Sequence, residues 1–137
     1  MKLLRSIALP LACTLTLNLP AHAEILCQAS KTTVEEQQCM IAELAKADKK
    51  LVTYLQTARA QLAKTSDSKL NLDEAQKAWE QYRTTHCADV YTYWAEGSIR
   101  YRQSAQCQID LSQQRTHDIW KAYLSFADST PPVLAEP

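Results

Sequence analysis

Apolar residues recur at helical spacing along the chain. Ile41, Leu44, Asp48, Leu51, Leu55, Ala58 and Leu62 are separated by alternating steps of three and four residues. That pattern places them on one stripe of a helix. Thr32-Thr33-Val34-Glu35-Glu36 supplies two overlapping capping boxes just upstream, so the helix is predicted to begin at Thr32 or Thr33. It should end at the polar run Thr65-Ser66-Asp67-Ser68. A second helix is predicted from Asn71, with Glu74 as its box partner and Leu72, Ala75, Trp79, Tyr82, His86, Val90 and Tyr93 along one face. It stops before Gly97, a residue able to close a helix in the left-handed conformation. A third helix follows the line Cys107, Leu111, Arg115, Ile119, Ala122 and Phe126.

Gly97 is the one glycine, and the five prolines lie at positions 10, 20, 131, 132 and 137. The long stretch between them is poor in the residues that turn-rich β folds require. The predicted fold is therefore all-α, a small antiparallel three-helix bundle. The tail from Asp128, residues 128–137, is Pro-rich and is expected to be loose.

The N-terminus changes this picture. Lys2 and Arg5 precede a mostly apolar run from Ile7 to Leu19, and Ala21-His22-Ala23 places small residues at a cleavage site. Residues 1–23 read as a signal peptide, with Glu24 as the mature N-terminus and 24–127 as the helical domain. The apolar run is short for a membrane anchor. Cys13 follows Leu11-Ala12, which resembles a lipobox, but Pro10 stands where an aliphatic residue belongs. The mature chain is thus expected to be periplasmic or secreted, without a stable membrane anchor.

Export gives the cysteines their meaning. Loss of Cys13 leaves Cys27, Cys39, Cys87 and Cys107, an even count that reads as two disulfides with three possible connectivities. Spacing favours the local pairs Cys27–Cys39 and Cys87–Cys107. Each would stabilise the fold by about 3 kcal/mol through restriction of the unfolded chain. With neither a CxxC nor an HxxxH pair, a zinc site is disfavoured and no metal or other cofactor is expected.

Charge narrows the partners. The chain carries 15 basic and 15 acidic residues; removal of Lys2 and Arg5 leaves the mature chain at −2. Such a chain has no basic excess for phosphates, so nucleic acid is not an expected partner. Asp48 and Arg115 interrupt apolar stripes, and charges in such places are usually paired. An interhelical Asp48–Arg115 ion pair is expected, with Arg83 as a further member, and its role is read as structural. Arg83 and His86 are the alternative partners.

Catalytic signals are sparse. His86 and His117 are the mature histidines, and Ser98 lacks a G-x-S-x-G setting. Glu35-Glu36 and Asp73-Glu74 lie at helix starts, where the dipole and caps account for them. The chain is expected not to be an enzyme. Aromatics gather instead around the Gly97 corner, and exposed aromatics beside arginine mark binding hot spots. Trp94, Glu96, Gly97, Ser98, Arg100 and Tyr101 are the candidate binding residues.

One family matches this arrangement. Cys27 and Cys39 precede Ala47-Asp48-Lys49-Lys50-Leu51 and Tyr54; Ala75-Gln76-Lys77-Ala78-Trp79 precedes Tyr82-Arg83 and Cys87; Gly97-Ser98-Ile99 precedes Cys107, Leu111 and Arg115. In order and spacing, over about residues 27–124, the chain resembles the LprI-type lysozyme-inhibitor domain family. The resemblance implies a helical, disulfide-bonded domain of the cell envelope that binds a protein partner, lysozyme, and so protects peptidoglycan. It carries over no inhibitory residues. Two other readings compete: an envelope interaction, immunity or accessory protein with another partner, and a cell-wall hydrolase.

Overall fold

A computed structural model of the protein describes residues 26–65 and 70–137. The expected signal peptide, its cleavage site, Cys13 and the segment 66–69 lie outside the described residues. Among the described residues there are three long helices and no strand: α1 (Thr33–Leu62), α2 (Leu72–Tyr93) and α3 (Arg100–Ile119). Both caps form at the expected residues. Thr32 accepts the Glu35 N–H at 3.2 Å and Asn71 accepts the Glu74 N–H at 3.1 Å. The first box is offset by one residue, because the Glu35 carboxylate takes the N–H of Lys31 rather than that of Thr32. Side-chain caps of this kind contribute about 1 kcal/mol each.

α3 is the central helix and packs against both α1 and α2. The α1–α2 ion pairs, Asp48–Arg83 and Arg59–Asp73, run in opposite order along the two helices. The same holds between α2 and α3 for Cys87–Cys107 and Gln76–Arg115. Both disulfides join the expected cysteines, Cys27–Cys39 and Cys87–Cys107, with Cα atoms 5.9 and 5.7 Å apart. Cys27 itself is held at φ 63°, a left-handed conformation unfavourable for a side chain with Cβ. Its carbonyl accepts the Ser30 N–H, and its sulfur is tied to α1.

The core is divided in two. The larger part joins Leu51, Tyr54, Leu55, Ala58, Leu72, Ile119 and Leu124. The smaller joins Met40, Ala47 and Ile109, with Leu26, Cys27, Leu44 and Ala105 beside it. The buried stripe of α1 is thus Met40, Ala47, Leu51, Tyr54, Leu55 and Ala58, and Ile41 is 60% exposed. At this turn Met40 takes the inward direction, and Ile41, about 100° further round the helix, lies on the cleft side. α2 is also rotated relative to the expected face. Leu72, Gln76 and Cys87 are buried, while Tyr82, His86 and Tyr93 are exposed. α3 buries Ile109, Ser112, Thr116 and Ile119 rather than a line ending at Phe126, which is exposed.

Two further expectations are corrected. After Ile119 the chain widens into a π turn, Trp120–Leu124, with Ser125 N–H bonded to the Trp120 carbonyl. The extra residue per turn brings Leu124 into the core. The tail is not loose. The Thr130 hydroxyl and its N–H lower the Asp128 carboxyl pKa, and Val133 and Leu134 then pack on the larger core. Tyr54 Oη donates to the Ala135 carbonyl at 2.7 Å and Trp120 Nε1 to that of Leu134 at 2.9 Å. His117 and Glu136 close the strap at 3.1 Å.

Candidate functional site

A polar layer separates the two parts of the core. Arg83 Nη1 binds Asp48 Oδ1 at 2.5 Å and Ser112 Oγ at 2.6 Å, and Ser112 donates to the same Asp48 oxygen at 2.8 Å. Each of the three residues comes from a different helix. The Arg83 guanidinium also lies over the Trp79 ring, 5.0 Å from its centroid. Arg115 does not reach Asp48; its Nε donates to the buried Gln76 at 3.1 Å. The expected Asp48–Arg115 pair is therefore replaced by Asp48–Arg83. The reason is the rotation of α2, which turns Arg83 inward and Tyr82 out. Every buried side-chain nitrogen and oxygen among the described residues has a partner. A fully satisfied layer of this kind fixes helix register and offers no idle acid or base.

The surface at the disulfide-bonded end is different. A cleft of about 190 Å³ opens between the first half of α1 and the start of α3. Met40 forms its floor, Ile41 and Leu44 one wall, and Tyr91, Tyr101 and Ala105 the other. Its position follows from local sequence. α1 places Met40 inward and Ile41 outward, while the Cys87–Cys107 bridge and the Ser104–Cys87 hydrogen bond of 3.0 Å clamp α3 against the end of α2.

Charge sits at the rim. Arg102 is paired with Glu36 at 2.6 Å and reaches the Leu26 carbonyl at 3.4 Å. Arg100 has no carboxylate within ion-pair distance among the described residues. Its guanidinium lies over Tyr91 at 5.1 Å and over Tyr101 at 5.2 Å, a cation–π arrangement. The two tyrosine rings meet edge to face at 5.2 Å. Coupling between the two hydroxyls raises the Tyr91 pKa and lowers that of Tyr101, and the Arg100 charge lowers Tyr101 further. Both arginines occupy the first turn of α3, which contains no acid. The helix dipole disfavours cations there, so helix stability does not account for them.

Of the six residues expected to bind, Ser98 and Tyr101 line the cleft and Arg100 stands beside it. Trp94, Glu96 and Gly97 do not line it. Trp94 is the C-cap of α2, packed edge to face on Tyr93. Gly97 has no positive φ, and its surroundings leave ordinary contact distance for a Cβ. Its predicted left-handed conformation is therefore not adopted; Trp94 takes the cap, at φ −94° and ψ 17°. Ile41 is the site residue that the sequence assigned to the core. No cluster of His, Cys, Asp or Glu suited to a metal is found among the described residues. No helix of the described residues is long and apolar enough to cross a membrane.

Three helices, two local disulfides and an apolar cleft at the disulfide-bonded end define a small, disulfide-bonded helical domain. The family model described as "Lysozyme inhibitor LprI" matches residues 27–119, from the first disulfide cysteine to the last residue of α3. The chain belongs to the LprI family. Comparison with curated proteins and with solved structures finds no match.

Proposed function

We propose that this protein is an exported, non-enzymatic inhibitor of lysozyme that acts in the periplasm or outside the cell and protects peptidoglycan. The observation that carries the reading is membership of the LprI family across all three helices. Two disulfides support export, because such bonds persist in oxidising compartments. The cleft beside Tyr101 supports a binding role. An inhibitor must occlude a groove without losing much freedom on binding, and a clamped helix pair meets that requirement.

The catalytic groove of a lysozyme contains acidic groups that flank the scissile sugar linkage. A surface that presents Arg100 between two tyrosines is electrostatically suited to such a groove. The polar layer of Asp48, Arg83 and Ser112 is structural in this reading.

The test is the clearing of a peptidoglycan suspension followed by turbidity. The purified oxidised chain is expected to slow clearing by lysozyme in proportion to its concentration, and to clear nothing alone. Unaltered lysozyme activity at saturating protein would overturn the inhibitor reading and favour another envelope partner. Clearing by the chain alone would make it a hydrolase.

A further inference from the structure

The cleft and Arg100 together specify what they would recognise. We infer that the cleft seats one apolar side chain of a protein partner, and that Arg100 binds a carboxylate adjacent to that side chain. The inference rests on the inhibitor reading only for the partner's identity; the chemistry follows from the site.

Size and lining set the first half. An apolar cavity of about 150 Å³ holds a benzene ring. The cleft offers about 190 Å³ between Ile41, Leu44, Tyr91, Tyr101 and Ala105. That suits one aromatic or branched aliphatic side chain. Exposed Ile41 and Tyr101 form opposite lips and would lose contact with water once the cleft is filled. Burial of such a side chain removes apolar surface from water and so anchors a contact.

Charge sets the second half. Glu36 and Arg102 neutralise each other at one edge. Arg100 is the cation left at the other, held over two aromatic faces with only the Ala95 carbonyl, at 3.4 Å, as a backbone acceptor. A partner that covered the cleft without a carboxylate would desolvate this charge without compensation. A partner with a carboxylate would gain a charge-assisted hydrogen bond. A cationic group in that place would be rejected, so Arg100 supplies discrimination as well as attraction. The two tyrosines hold the guanidinium in place before binding, which reduces the entropy lost on association.

Two small probes test the chemistry without assuming any partner. 3-Phenylpropionate presents a ring beside a carboxylate, and 3-phenylpropylamine presents the same ring beside a cation. Amide chemical shifts of the oxidised chain are recorded during titration with each. The carboxylate is expected to move signals of Ile41, Tyr101 and Ala105, and Arg100→Gln is expected to weaken it about tenfold. Ile41→Glu, at an exposed position that leaves the fold intact, should weaken it as well. The amine should bind more weakly than the carboxylate and respond little to Arg100→Gln. Equal binding of both probes, shifts confined to other surfaces, or an unchanged carboxylate affinity in Arg100→Gln would overturn the inference.

The same samples go into the lysozyme turbidity assay. Inhibition by the parent chain with a probe that ignores the cleft would leave the inhibitor reading standing and remove this one. The expected probe behaviour with no effect on lysozyme would do the reverse.

Discussion

The two ends of the bundle are stabilised by different means. At one end Leu51, Tyr54, Leu55, Ala58, Leu72, Ile119 and Leu124 form a continuous apolar core, sealed by Val133 and Leu134 of the returning tail. No disulfide is present there among the described residues. At the other end the apolar cluster is reduced to Met40, Ala47 and Ile109, and both disulfides flank it. That end also holds the cleft and the exposed aromatics Tyr93, Trp94 and Tyr101. A surface that must remain open to a partner cannot also bury its side chains in a core. Covalent links supply the rigidity that packing supplies elsewhere.

Substitutions at each end should separate these roles. The largest effect is expected from Ile119→Ala, which empties a fully buried position of the larger core. It should cost about 2–5 kcal/mol, read from the chemical denaturation midpoint. It should leave the cleft's probe affinity unchanged wherever the chain remains folded. Replacing both Cys87 and Cys107 by Ala comes next, at about 3 kcal/mol. Here the loss should be local: hydrogen exchange should quicken in residues 91–105 before residues 51–62, and lysozyme inhibition should fall with it.

Asp48→Ala tests the layer between the ends. Its carboxylate is partly exposed, and its removal leaves Arg83 with Ser112 and Trp79. The expected cost is about 2 kcal/mol, with inhibition retained in the folded fraction. Lost inhibition at unchanged stability would instead assign Asp48 to the binding machinery. The smallest effect is expected at Gly97→Ala, within about 0.5 kcal/mol of the parent, because a Cβ there meets no atom closer than 3.6 Å and φ is ordinary. A large loss would mean that the corner requires glycine's freedom.

The same contrast governs what could be read from the sequence. Caps are local, so Thr32 and Asn71 were legible from a four-residue pattern, and export plus spacing made the disulfides legible too. The inner faces were harder to read. An apolar stripe overlooks Gln76, Ser112 and Thr116, which are buried because each is hydrogen-bonded within the bundle. The rotation that buries Gln76 and Arg83 exposes Tyr82 and His86, which stack on one another at the surface. The tail's prolines suggested looseness, yet Val133 and Leu134 pack on the larger core and four hydrogen bonds, through Val133, Leu134, Ala135 and Glu136, hold it down. The corner's aromatics and arginine pointed to the end that holds the cleft. The cleft itself needed Ile41, brought opposite Tyr101 only by tertiary packing.

The most direct test is a hydrogen-exchange footprint of the oxidised chain with and without lysozyme. Protection is expected in residues 33–44 and 91–105, the two sides of the cleft, and not in residues 54–62 or 120–134. Protection centred on the larger core's end, or none at lysozyme concentrations that saturate inhibition, would contradict the account.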